Sequence, residues 1–271
     1  MVLPEARPGR TSSFAVLARR NNQNRMAIGV GMVSHALRAG LTLLRSDGAQ
    51  VAALGNQGHR RRSRHIYGPT LTSLGHPRGN IPGFTANDPA IGGKWMELLK
   101  EIAPRTARVA LLFNPATAPQ IKFYMPSIKA TASSVAVEVS DAPVHAKEEI
   151  EGAMAAQART PGSGLIVMPD PFNNSNTNLI IALAARYGIP TIFNDPLHAE
   201  LGGLIAYGTD FAELFRQAAE YIDRILKGAK PGELPIQQPT KYELSINLKT
   251  AKALGLTIPE SVLSLADKVI E

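Results

Sequence analysis

The stretch Arg108-Val-Ala-Leu-Leu-Phe113, followed by Asn114-Pro115, is the part of the sequence that most clearly indicates a fold. Its apolar run is short, has β-branched and aromatic residues towards its ends, and is stopped by the Asn-Pro pair. A strand that is apolar on both faces is typical of a parallel sheet covered by helices on each side. The stretch therefore predicts a buried parallel strand.

Helical and strand patterns alternate around this strand from about Gly92 onward. Helices are predicted at Lys94–Ile102, Pro119–Ser134, Ala146–Arg159, Asn176–Tyr187 and Phe211–Lys227. Further strands are predicted at Val135–Val139, Gly164–Met168, Thr191–Phe193 and Leu204–Tyr207. Right-handed crossovers turn such a succession into an α/β fold with a doubly wound parallel sheet and Rossmann-like lobes, in which ligands bind at the carboxyl ends of the strands.

The pattern changes after the helix at Phe211–Lys227. Three prolines mark an extended connector, and they are Pro231, Pro235 and Pro239. A strand at Tyr242–Asn247, a helix at Leu248–Leu254 and a final helix at Pro259–Ile270 are predicted to close the chain.

Residues 1–70 differ in composition from the rest of the chain. They hold eleven Arg and no Lys against Glu5 and Asp47, a net charge of +9, whereas the remaining residues carry −2. Such a basic segment favours either an arm that contacts nucleic acid or a membrane surface, or a segment of different origin. Glycines interrupt it, so only a helix at Met32–Leu44 and a strand at Ala49–Leu54 are predicted there.

Several classes of function lack support in the sequence. The chain has no Cys, its six His show no metal-ligand spacing, and it contains neither a phosphate-binding Gly-rich loop nor a Gly-x-Ser-x-Gly elbow. We therefore expect no catalysis, no cofactor and no metal. The longest apolar run in Met1–Arg20 is Phe14–Ala18, shorter than the core of ~7–15 residues in a secretory signal, so no export signal is predicted.

Segments spread over the last two thirds of the chain carry a resemblance to a known family. They are Gly79–Thr85, Gly93–Pro104, Val109–Pro115, Gly164–Phe172, Ala206–Gly208, Ile225–Pro231, Leu234–Thr240 and Asn247–Leu256. Together they resemble the tryptophan/tyrosine-type ABC-transporter substrate-binding proteins of bacteria. The resemblance implies a type I periplasmic-binding fold, capture of a small amino-acid-like or aromatic solute in an interlobe cleft, and delivery of that solute to an ABC permease.

The resemblance also implies a division of the chain. Residues 1–78 are an atypical Arg-rich segment, a remnant of or replacement for an incomplete first lobe, and residues 79–230 form a complete α/β lobe. Residues 231–271 are a closing segment expected to return to the first lobe. Without that lobe its apolar faces would be exposed, which predicts self-association. The composition change near residue 70 adds the hypothesis of a non-functional, truncated or frame-damaged paralogue.

Five residues at predicted strand ends are the candidate ligand-binding residues, namely Asn114, Asp170, Phe172, Asn194 and Tyr207. A carboxylate at Asp170 suits the amino group of a ligand, an amide at Asn114 suits a carboxylate, and Tyr207 suits an aromatic solute. Simple turn or packing roles are an open alternative for each of them. Trp95 lies on the apolar stripe of its helix and is predicted to be core.

A ligand-responsive transcription regulator of the LacI type is a further interpretation, since such regulators place the same lobes behind a DNA-binding headpiece. Gly29 and Gly31 fall where a helix-turn-helix would need a helix or a packed turn, which disfavours nucleic-acid binding. The resemblance implies a periplasmic location, while the missing export pattern leaves a cytoplasmic one open.

Overall fold

The computed structural model of the chain describes residues 14–19, 28–29, 50–55, 83–85, 88–230 and 233–271. The chain divides into two compact units, one made of residues 1–86 and 211–240 and the other of residues 87–210 and 241–271. Each unit has its own sheet among the described residues.

The elements are numbered here in chain order. The strands are β1 (Phe14–Arg19), β2 (Ile28–Gly29), β3 (Gln50–Gly55), β4 (Gly83–Phe84), β5 (Arg108–Phe113), β6 (Glu138–Pro143), β7 (Ser163–Val167), β8 (Thr191–Phe193), β9 (Ile205–Thr209), β10 (Ile236–Gln237), β11 (Tyr242–Asn247) and β12 (Lys268–Ile270). The helices are α1 (Ile91–Ile102), α2 (Ile121–Ser134), α3 (Lys147–Ala158), α4 (Pro171–Ser175), α5 (Thr177–Tyr187), α6 (Leu197–Glu200), α7 (Phe211–Leu226), α8 (Leu248–Ala253) and α9 (Glu260–Leu263).

The second unit is a mostly parallel α/β sheet with the strand order β12-β11-β9-β8-β7-β5-β6. Strands β5 to β9 are five adjacent strands that run parallel to one another, β11 runs antiparallel to β9, and β12 runs parallel to β11. Four consecutive residues of β5 are buried, as a strand covered on both faces requires. The predicted α/β class and doubly wound parallel sheet are confirmed.

Alternation along the parallel strands divides the core of the second unit into two layers. On one face Val109, Leu111 and Ile166 pack with α1 and α2, and Trp95 is buried there as predicted. On the other face Ala110 and Leu112 pack with α3 and α5. Successive side chains of a strand point to opposite faces, so a fully apolar strand serves both layers.

The first unit contains a five-stranded sheet with the order β10-β4-β1-β3-β2 among the described residues. Strand β1 is antiparallel to β3 and β4, whereas β10 is parallel to β4. Helix α7 buries an apolar stripe in this unit, and its Tyr221 ring lies 4.8 Å from the ring of Phe84 between centroids. The predicted helix at Phe211–Lys227 is thus confirmed to within one residue.

Three local predictions need correction. The strand predicted at Val135–Val139 begins later, because Ala136 adopts a left-handed conformation (φ 54°) and the N–H of Val137 donates to the carbonyl of Ala132, which closes the end of α2. The final helix ends at Leu263, and Lys268–Ile270 forms β12 instead. Helices α4 and α6 were not predicted from the pattern, since each is too short to show a helical period.

The closing segment predicted at 231–271 is divided between the units: residues 231–240 belong to the first unit, where β10 pairs with β4. Residues 241–271 belong to the second unit, where β11 pairs with β9 through five residue positions and Leu244, Ile246 and Val262 lie in the core. Their apolar faces therefore have a partner within their own unit, and the argument for self-association loses its basis. Helix α7, expected in the complete lobe 79–230, belongs to the first unit.

Some sequence interpretations concern residues outside the described part of the chain. They include the helix at Met32–Leu44 and the remnant or frame-damaged character of residues 1–78. The strand predicted at Ala49–Leu54 corresponds to β3. No helix in the described ranges is long and apolar enough to cross a membrane.

Burial of β11 in the second unit leads to a stability prediction. Ile246 is fully buried, so Ile246→Ala should lower the free energy of unfolding by about 2–5 kcal/mol in a denaturant titration. Val269→Ala in the edge strand is the matched control, since Val269 is 39 % exposed and its truncation should cost roughly 0.5 kcal/mol or less. Equal effects of the two substitutions would contradict this packing.

Candidate functional site

The candidate site lies at the carboxyl edge of the parallel strands in the second unit. Strand β5 lies between β6 and β7 in the sheet, and the chain leaves β5 through α2 on one face and leaves β7 through α4 and α5 on the other. Ligands of doubly wound sheets bind in the crevice at such a change of direction. Asn114 follows β5 and Asp170 follows β7, so both border this crevice.

Asp170 ties together the loops that follow β5 and β7. One carboxylate oxygen accepts from the backbone N–H of Asn114 (2.6 Å), and the other accepts from the Thr117 hydroxyl (2.6 Å) and the backbone N–H of Phe172 (2.9 Å). The bond to Phe172 caps α4, whose first position is Pro171. Since Asp170 is 1 % exposed, its principal role in this structure is to brace the two loops.

Burial raises the pKa of the Asp170 carboxyl group, while the donors from Thr117, Asn114 and Phe172 act in the opposite sense. Desolvation disfavours a charged carboxylate, and donors directed at it favour the charge. The ionised form is therefore held at some cost in free energy.

Both side-chain polar atoms of Asn114 form hydrogen bonds within the protein. Its side-chain oxygen accepts from the N–H of Ala116 (2.9 Å), and its amide nitrogen donates to the carbonyl of His145 (3.2 Å). These bonds fix the loop between β5 and α2 against the loop that follows β6. Asn114 thus shapes the crevice wall in this structure.

Asn194 lies at the end of β8, next to the end of β9. A Cβ atom at Gly208 in β9 would overlap the backbone carbonyl oxygen of Asn194, so the two chain segments approach closely only because residue 208 is glycine. After Asn194, the Asp195 carboxylate accepts from the N–H of Leu197 (3.1 Å) and starts α6. The backbone of Asn194 is therefore fixed from both sides.

Among the five candidates, Asn194 has the side chain whose buried polar atoms are unpaired. The residue is 2 % exposed, yet neither its amide nitrogen nor its amide oxygen has a hydrogen-bond partner in the described structure. Leaving a buried polar group unpaired costs about 1–3 kcal/mol. The amide of Asn194 therefore keeps hydrogen-bonding capacity that Asn114 and Asp170 use within the protein.

Phe172 and Tyr207 supply aromatic surface on opposite faces of the sheet. Phe172 is half-buried against the layer of α3 and α5. Tyr207 is half-buried on the other face, with its ring stacked on Tyr242 at 5.7 Å and its carbonyl accepting from the indole N–H of Trp95 (2.7 Å). Burial raises the pKa of the Tyr207 hydroxyl, with Lys94 acting against this and Asp267 adding to it.

Residues that sequence reasoning missed complete the polar framework of the edge. The amide of Asn173 donates to the carbonyls of Leu112 and Met168, and the Thr177 hydroxyl approaches Nε2 of His198 at 3.3 Å. The same hydroxyl lies within hydrogen-bond distance of the carbonyls of Asn173 and Asn174, and Nδ1 of His198 has no partner in the described structure. The polar run of residues 173–178 was the available signal in the sequence.

Burial lowers the pKa of His198, and the nearby Asp195 carboxylate acts in the opposite sense. A His that is 1 % exposed is therefore neutral at pH 7. No group of three or more His, Asp or Glu side chains suited to hold a metal occurs within the described ranges.

A groove of about 500 Å³ lies at the opposite, amino-terminal edge of the same sheet. Its lining includes Ala103, Thr106, Gly162, Tyr187 and Leu256, and none of the five candidate residues contributes to it. The groove is therefore separate from the carboxyl-edge crevice.

Comparison with known proteins identifies the family of the chain. Residues 66–270 match the family of ABC transporter substrate binding proteins, so the chain belongs to that family. A search of the curated proteins found no match.

Several solved structures are similar to this chain in fold and sequence. A conserved domain protein from Vibrio cholerae O1 biovar El Tor is 27 % identical with a TM-score of 0.66, over 73 % of this chain and 66 % of its own. A Streptococcus pneumoniae ABC domain in complex with L-Trp is 26 % identical with a TM-score of 0.65, over 74 % and 68 %. The Clostridium difficile substrate-binding protein CD0873 is 21 % identical with a TM-score of 0.57, over 74 % and 66 %. This chain thus spans about two thirds of the length of these structures. LacI-type regulators are only distantly similar.

The close approach at Gly208 gives a direct test of the site geometry. Gly208→Ala should lower the free energy of unfolding by about 1–3 kcal/mol, because the added methyl group meets the backbone of Asn194 and cannot be accommodated by a side-chain rotation. Gly152→Ala in α3 is the control, since a Cβ there meets nothing within 4 Å and should stabilise the helix by about 0.5–1 kcal/mol. An unchanged free energy of unfolding in Gly208→Ala would contradict the close approach of residue 208 to the backbone of Asn194.

The shifted pKa of Asp170 predicts a pH dependence. A carboxyl group whose folded pKa is raised adds stability below its unfolded pKa of about 3.9, and this contribution is lost as the pH rises through the folded pKa. The stability of the wild type relative to Asp170→Asn should therefore fall as the pH rises from about 3.9 through the folded pKa. Denaturant titrations of both proteins across this range measure the difference, and a rise with pH would show that the donors outweigh burial.

Proposed function

We propose that the protein is the solute-binding component of an ABC import system and captures a small amino-acid-like or aromatic solute. Membership of the substrate-binding family supports the general role, and the unpaired amide of Asn194 at the strand ends supports binding at this edge. The L-Trp bound to the similar pneumococcal domain suggests an amino acid with an aromatic side chain as the first solute to test.

The five candidate residues take different parts in this proposal. Asn194 contacts the polar groups of the solute, and the rings of Phe172 and Tyr207 offer apolar surface. Asn114 and Asp170 act as positioning residues, because their polar atoms already hold the two loops beside the crevice. The parts of Asn194, Asn114 and Asp170 follow from whether their side-chain polar atoms are unpaired or already hydrogen-bonded.

The partner in transport is an ABC permease, and the protein acts outside the cytoplasm, as is usual in the family. In this role the protein has no catalytic step. Binding energy selects the solute, and release at the permease completes the cycle. The polar and aromatic groups at the edge suit reversible binding, since each offers a non-covalent contact.

The proposal predicts ligand-dependent stabilisation of the purified chain. L-tryptophan, L-tyrosine or another amino acid from a panel should raise the thermal midpoint, because a ligand at 100 times its Kd stabilises the folded state by about 2.7 kcal/mol. Phe172→Ala should reduce the rise for aromatic amino acids. Differential scanning calorimetry of the wild type and of Phe172→Ala with each solute measures both the rise in the midpoint and its reduction.

Tyr187→Ala is the matched control for this measurement. Tyr187 is also half-buried against the layer of α3 and α5, but it lies at the amino-terminal edge beside the groove. Its substitution should lower the midpoint without reducing the ligand-dependent rise. A transition that is insensitive to every solute in the panel would count against solute binding and favour the non-functional paralogue.

A further inference from the structure

The side chain of Asn194 has the chemistry to read the main-chain groups of an amino acid. It is a planar amide with a donor and an acceptor side by side, both buried and both without a partner in the described structure. Two other candidates, Asp170 and Asn114, also have polar side chains. Their polar atoms form hydrogen bonds within the protein. Among the five candidates, Asn194 is the buried amide with its hydrogen-bonding capacity intact.

A buried amide without partners is unfavourable for the ligand-free protein. An apolar side chain of similar shape would fill the same space without the cost of desolvating a donor and an acceptor. Groups that lower stability in this way are expected at functional sites, where the ligand supplies the missing partners. The unpaired amide is thus an observation that points to a ligand.

The backbone keeps this amide in a defined place. Gly208 allows β9 to lie against the Asn194 carbonyl, and the bond from Leu197 to Asp195 fixes the following turn. The main chain on both sides of this side chain is therefore constrained. A fixed donor and acceptor select ligands by the spacing of their own polar groups.

We infer that Asn194 is the specificity-determining residue for the zwitterionic end of the ligand, its amide oxygen accepting from the α-ammonium group and its amide nitrogen donating to the α-carboxylate. This inference rests on the proposed function and narrows its solute class to free α-amino acids. A compound that lacks either charged group leaves one half of the amide unpaired, so it binds more weakly. Residues other than Asn194 recognise the aromatic or aliphatic side chain of the amino acid.

Three ligands and two substitutions test the pairing by calorimetry. The ligands are L-tryptophan, tryptamine, which lacks the carboxylate, and indole-3-propionate, which lacks the ammonium group. For the wild type, each analogue should bind roughly 10- to 100-fold more weakly than L-tryptophan. Asn194→Leu should weaken L-tryptophan by a similar factor and raise the thermal midpoint of the ligand-free protein.

Asn194→Asp separates the two halves of the amide. The substitution keeps an acceptor for the ammonium group and replaces the donor with a negative charge that repels the carboxylate. It should therefore reverse the order of the analogues, so that tryptamine binds more tightly than indole-3-propionate by at least tenfold. Asn178→Asp is the matched control, since Asn178 is exposed on α5 and carries the same change of charge.

The possible results distinguish this inference from the broader function. Two results would overturn the pairing and leave solute binding in place. One is an unchanged affinity of Asn194→Leu for L-tryptophan, and the other is a thermal midpoint of ligand-free Asn194→Leu below that of the wild type. A wild type that binds neither L-tryptophan nor any other α-amino acid would overturn the pairing and the proposed solute class together. Weaker binding in Asn194→Leu, with the reversed order in Asn194→Asp, supports the pairing.

Discussion

The buried carboxylate of Asp170 is the interaction on which the candidate site depends. Strands β5 and β7 are neighbours, but the helices that follow them cover opposite faces of the sheet, so their loops must separate at this edge. A single carboxylate accepts two backbone N–H groups and the Thr117 hydroxyl, and it joins the two loops across the gap. The raised pKa reflects the cost of placing a charge there, and three donors offset that cost.

Polar atoms at this edge fall into two groups with different consequences. Those of Asp170 and Asn114 and the amide nitrogen of Asn173 form hydrogen bonds within the protein and keep the loops in place, whereas Oδ1 of Asn173 is unpaired among the described residues. Those of Asn194 bind nothing in the described structure and reduce stability. A rigid framework built by the first group allows the second to present a donor and an acceptor at fixed positions, which is what selective binding of a small polar ligand requires.

The parallel core could be predicted from the sequence because its signals are local. The limits of β5, β8 and β11 agree with the prediction, since each apolar run is bounded by residues that stop a strand. Asn114, Asp170 and Asn194 follow β5, β7 and β8, as predicted from these runs, whereas Tyr207 lies inside β9 and Phe172 within α4. The division of the candidates into bonded and unbonded groups could not be predicted, because the partners of Asp170 lie up to 56 residues away in the chain.

The placement of the closing segment could not be predicted either, since an apolar strand does not specify which sheet it joins. In the structure, residues 241–271 form hydrogen bonds to the chain segment that follows Asn194. The amide of Asn247, at the end of β11, donates to the carbonyl of Ala199 in α6 (2.9 Å), and the Thr250 hydroxyl donates to the carbonyl of Gly202 (2.9 Å). Helix α6 directly follows the turn that holds Asn194. The last thirty or so residues of the chain therefore help to determine where the unpaired amide lies, although they contribute no candidate residue to the site.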